Sequence, residues 1–105
     1  MTIIAELALD FADSGDAVPV RLFAPEKPER SWVCRYEAAN PIDHCLDVHG
    51  ETSLQALALA IKALSAALYG SAAYRSGKLG LYGQFGGYPG IPAPNVFLDE
   101  APYPF

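Results

Sequence analysis

Cysteine is scarce in this 105-residue chain, with Cys34 and Cys45 as its whole complement. Two thiols make no disulfide framework, and they fit a reducing cytoplasm, which is the expected location. Basic residues are also few: seven Lys and Arg stand against twelve Asp and Glu, giving a formal net charge of −5. The seven are scattered, and nucleic-acid binding needs them clustered, so nucleic acid is excluded as an expected partner. Only two histidines occur, His44 and His49. The amino terminus has no basic start, and Glu6 and Asp10 interrupt its apolar residues, so it reads as neither a signal nor a transit peptide. No unbroken, strongly apolar run reaches the roughly 20 residues of a membrane span; in the most apolar stretch alanine dilutes the run and Lys62 sits inside it.

Hydrophobic residues, by contrast, make up 51% of the chain, enough for one modest core in one domain spanning residues 1–105. The organising stretch is Thr52 to Gly77. Leu54, Leu57, Ile61, Leu64 and Leu68 recur at three- and four-residue steps, and alanine fills many gaps, which predicts a helix over about 53–69 continuing to 76. Thr52 followed by Gln55 is a capping-box start. Gly70 and Gly77 are candidate stops. Between Leu54 and Tyr69 the only charge is Lys62, so the helix lacks a polar face and calls for cover on more than one side.

Ahead of the helix, two-residue alternation predicts strands at about 2–11, 17–24, 31–38 and 42–49. The inward set is Leu7, Leu9, Phe11, Val18, Val20, Leu22, Trp32, Cys34, Tyr36, Leu46 and Val48; the outward set carries Glu6, Asp10, Arg21, Arg35 and Glu37. The expected fold is α+β: a four-stranded antiparallel meander with the long helix on one face. Residues 78–105 form an irregular Gly/Pro/aromatic segment, with room for a short strand at Lys78–Tyr82, that wraps the exposed side of the helix.

Motifs for chemistry are thin. Asp43, Cys45, Asp47 and His49 share one strand face, but same-face neighbours on a strand lie about 7 Å apart, which lets two of them, not four, meet one ion. No metal site, catalytic group or cofactor is expected. Cys45 with His49, and Cys34 with His44, are weak nucleophile–base pairings that no surrounding motif supports. The glycines at 80, 83, 86 and 87 follow a helix and lack the Lys-Ser/Thr of a phosphate loop.

The hairpin, the Trp32-x-Cys34 strand, the run Leu54-Gln55-Ala56-Leu57-x-Leu59-Ala60, the Leu68–Tyr69 pair and the glycine-proline segment from Gly87 to Pro94 resemble a family of small bacterial domains of unknown function. The resemblance implies a single-domain bacterial protein and carries over no catalytic residue. The function expected from the residues is a non-catalytic protein-binding module, such as an immunity protein or inhibitor that occludes a basic toxin or nuclease. Complementary charge would speed its encounter. Glu6, Asp10, Glu37, Asp43 and Asp47 on the open sheet face, with Tyr103 and Phe105 near the end, are the expected partner-binding residues. A homo-oligomeric accessory subunit built on the apolar helix is the alternative, and a small enzyme or ligand-binding domain using Cys45, His44 or His49 stands third.

Overall fold

The structure, a computed structural model, describes residues 1–92. Tyr103, Phe105 and the rest of the carboxyl-terminal segment beyond Pro92 lie outside the described residues. Strands β1 (Ile3–Phe11), β2 (Ala17–Phe23), β3 (Trp32–Ala38) and β4 (His44–Gly50) precede helix α1 (Ser53–Gly70) and the short helix α2 (Ala72–Arg75). Two small strands follow, β5 (Leu79–Leu81) and β6 (Gln84–Phe85). All pairings are antiparallel, and the sheet order is β4-β3-β2-β1-β5-β6.

The fold is α+β with one main helix on an antiparallel sheet, but the sheet has six strands, so the expected four-stranded meander is incomplete. Once the helix has crossed the sheet, the chain adds β5 to the free side of β1 through Asp10–Gly80 and Phe11–Leu79. β6 then folds back on β5 through a two-residue turn. That turn is Tyr82-Gly83, with φ of 54° and 78°, the double positive φ of a type I′ hairpin. β5 falls within the stretch Lys78–Tyr82, which has room for a short strand, whereas β6 and the hairpin correct the reading of the segment after it as irregular.

Strand phasing follows the alternation. Leu9, Val18, Val20, Leu22, Cys34 and Tyr36 are buried beneath the helix, and Glu6, Arg21, Arg35 and Glu37 stand on the reverse face. Pro19 lacks an N–H where β3 is ending; its carbonyl accepts from Ala39 at 3.1 Å.

The helix begins as its sequence requires. Thr52 Oγ1 accepts from the Gln55 N–H at 3.0 Å, and Gln55 Oε1 reaches back to the Glu51 N–H at 2.6 Å. It ends at Ser71, whose extended backbone breaks the helix and whose hydroxyl serves both sides, donating to Leu68 and accepting from the Tyr74 N–H.

The seated face differs from expectation. Ala56, Ala60, Leu64 and Leu68, one residue every four, form the buried line, whereas Leu54 is 73% exposed. Small side chains let the helix approach closely. At Gly50 an added Cβ would stand 2.6 Å from the Ala56 backbone nitrogen. Leu46 is on the helix side as phased but remains 45% exposed, because β4 is the outermost strand and the helix covers only its inner flank. Length and apolar composition alone would pass α1 as a membrane span; here it lies on the sheet with a third of its residues buried.

Residues 88–92 close one side of α1. Tyr69 Oη donates to the Ile91 carbonyl at 2.7 Å, and Ser65 Oγ donates to the Pro92 carbonyl. The Tyr69 and Tyr74 rings meet edge to face at 5.0 Å. This segment satisfies the second-side cover that a helix without a polar face requires, over the carboxyl-terminal half of α1.

Candidate functional site

Among the described residues the helix leaves the reverse face of the sheet open, and the charges on that face sit in register. Glu6 of β1 is opposite Arg21 of β2, Arg21 is opposite Glu37 of β3, and Arg35 of β3 is opposite Asp47 of β4. Directly opposed side chains on an antiparallel ladder lie near enough to pair. Arg35 is the hub: Nε donates to Glu37 Oε2 at 2.9 Å and Nη1 to Asp47 Oδ1 at 3.1 Å. These two bonds, Glu37 first, raise the guanidinium's hold on its proton above the ordinary arginine value. Glu6 and Arg21 approach at 3.6 Å, with both side chains well exposed.

The expected binding residues therefore do not form a bare acidic field. Glu6, Glu37 and Asp47 share two guanidiniums. Asp10 is on the same face, but its Oδ2 accepts from the Gly83 N–H at 2.8 Å and anchors the β5–β6 hairpin. Asp43 was expected within the fourth strand. It precedes β4 instead, in the left-handed region at φ 52°, a conformation that Asp tolerates better than most residues. It still borders the face, because it lines one cleft with Arg21, Arg35, Glu37 and Cys45.

That cleft measures about 220 Å³. A second, of about 350 Å³, lies on the other side of Arg35 between Phe23, Glu26, Lys27, Val33 and Asp47. Its outer wall is the loop after β2. Glu26 pairs with Val33 through two backbone bonds of 2.9 and 2.7 Å, holding the loop beside β3. Sequence reasoning placed Arg35 on the correct face but did not include it, or Lys27, among the site residues. Its parity with Glu37 and Asp47 in paired strands was the available signal.

The candidate chemical groups are dispersed. Cys34 is buried under the helix and its Sγ lies 3.2 Å from the Phe23 carbonyl; burial pushes its thiol up from the usual range, away from the reactive thiolate. His44 packs its ring against Tyr36, with centroids 5.5 Å apart. His49 Nδ1 shares a hydrogen bond with Ser31 Oγ at 2.9 Å, and Cys45 is exposed. Among the described residues no group of three His, Cys, Asp or Glu side chains is placed to hold a metal ion.

The family model described as a domain of unknown function (DUF6968) matches residues 5–93, nearly the whole described chain. The chain belongs to this family. The match runs from β1 through the segment packed on Tyr69, so the DUF6968 domain includes both the charged face and the helix that leaves it open. No curated protein and no solved structure matches the chain.

Proposed function

We infer that this DUF6968 domain is a non-catalytic protein-binding module of the cytoplasm. It would receive a basic partner on the open sheet face, as an immunity protein or inhibitor receives a toxin or nuclease. One observation carries the reading. The helix occupies one face, and the other holds Glu6, Asp10, Glu37, Asp43 and Asp47 around two arginines, with a shallow cleft on either side of Arg35. A partner that inserts a lysine or arginine into one of these clefts would compete with Arg35 for Asp47 in the larger or for Glu37 in the smaller, and loosen its hold. Charges paired in this way discriminate between partners and speed encounter more than they raise affinity.

The test is affinity capture from the host with the tagged chain and with an E6K/E37K/D47K variant whose circular dichroism matches the parent. The expected result is one basic protein retained by the parent, released by added salt and missed by the variant. Capture of nothing, or equal capture by both, would overturn the reading.

A further inference from the structure

The two edges of the sheet are built very differently. One ends in β6, two residues long and curled by its turn. The other is β4, seven residues without proline or lysine and without a register shift against β3. Natural edge strands are usually blunted by shortness, proline, a bulge or charge, lysine above all; β6 has the first of these, and β4 carries only Asp47, whose carboxylate is already paired with Arg35. The direction of its free backbone groups follows from the ladder. Val33 bonds to Glu26 through both its N–H and its C=O, on the side away from β4. Val33–His49 is therefore a non-bonded pair, and alternation turns the N–H and C=O of Cys45, Asp47 and His49 outward from the sheet.

Beside this edge, the flank of α1 is apolar and mostly small. Leu46 is 45% and Leu59 43% exposed. His44, two residues before Leu46, shares a surface cleft with Ala66, Ala67 and Gly70 of the helix. Small residues allow a second helix to approach closely. Another copy of this chain supplies both things the surface lacks, a strand with outward N–H and C=O groups at matching positions and an apolar helix flank at the same height.

We propose that the chain forms a two-fold symmetric dimer in which β4 pairs antiparallel with β4 of a second copy and the exposed flank of α1 packs on its counterpart. Same-face pairing about a two-fold axis can centre on Leu46, Asp47 or Val48. Centring on Asp47 opposes two carboxylates. Centring on Val48 sets Leu46 against Gly50, which has no side chain to pack. Centring on Leu46 stacks Leu46 on Leu46, opposes Cys45 to Asp47 and lays the helices antiparallel, with their dipoles opposed. The result is one continuous sheet whose charged face is doubled and left open, so the dimer stands whether or not that face binds a basic partner.

The interface is small. A strand about 20 Å long on a protein 19 Å along its shortest axis covers on the order of 400 Å² per copy, about 800 Å² in total, below the roughly 1,000 Å² that a permanent interface clears and within the range of weak, transient contacts. Association is therefore expected in the micromolar to millimolar range. The test is analytical ultracentrifugation from micromolar to millimolar concentration on the parent, Leu46→Lys, Leu59→Lys and, as a far-edge control, Gln84→Lys. The parent and the control should dimerise with concentration, and the first two variants should not. Cross-linking supplies a readout that needs no substitution at the interface. Cys45 is exposed while Cys34 is buried, so a short bismaleimide should join two copies through Cys45 alone. A strict monomer at millimolar concentration would overturn the proposal. So would a dimer that survives both lysine variants, or a parent dimer that resists cross-linking.

Discussion

On the helix side of the sheet, Leu9, Cys34 and Tyr36 are at most 1% exposed; on the reverse side, one residue along β3, Arg35 and Glu37 exchange hydrogen bonds in reach of water, with Asp47 of β4 beside them. The same backbone supports both, and a two-residue period separates them. Cohesion is therefore assigned to one face and the proposed recognition to the other, and a substitution on one should barely register in an assay of the other.

The sharpest attempt to break that division is Leu68→Ala. Leu68 is fully buried between helix and sheet. Its truncation should cost about 2–5 kcal/mol in urea unfolding, and a loss no larger than that of a surface change would show the helix seat to be wrong. Next comes Gly50→Ala, where the added methyl meets Ala56 backbone atoms at 2.6 and 2.9 Å. Displacing the helix start should cost about 1–3 kcal/mol by the same measurement. Thr52→Ala removes the cap on Gln55 and should cost about 1 kcal/mol.

Alkaline pH probes the covered face by charge. Burial raises the Cys34 thiol and the Tyr36 phenol. The folded chain thus keeps protons that the unfolded chain gives up. Stability from this source is complete below the unfolded values, about 8.5 for a thiol and 10 for a phenol, and is lost as pH climbs through and beyond them. Cys34→Ala should flatten the earlier part of that fall in a series of thermal melts. The smallest effect belongs to the open face, where Glu6→Gln should change unfolding stability by less than about 1 kcal/mol.

Which of these features the sequence makes legible depends on how strongly chemistry marks them. Strand alternation is marked by charge against hydrocarbon, so the placement of Glu6, Arg21 and Glu37 opposite Leu7, Val20 and Tyr36 could be read directly. The helix gives less. With Leu54, Leu59 and a series of alanines spread around it, nothing polar marks the outside, and the largest residues attract the reading. The seat in fact belongs to Ala56 and Ala60, because close approach to Gly50 favours small side chains over large ones. The β5–β6 hairpin escaped because its turn is Tyr82-Gly83, and tyrosine is an uncommon residue at positive φ. Asp43 was placed inside a strand expected over 42–49, but the strand begins at His44, a boundary set by the left-handed backbone of Asp43. At the candidate site the acidic residues were legible, and the pairing that makes Arg35 their common partner required the strand register.

The order of strands bears on how the molecule is born. β1 is interior to the sheet, bounded by its immediate successor on one side and on the other by β5, a neighbour whose hairpin turn bonds to Asp10 from 73 residues away. Such distant pairings slow folding, since the chain must close a long loop before any contact rewards it. A nascent chain emerging from the ribosome can finish β2, β3 and β4 yet still hold one side of its first strand open until Leu79 arrives. A fragment ending at Gly77 would keep that vacancy permanently, and it would offer a foreign strand a second place to pair besides the edge of β4.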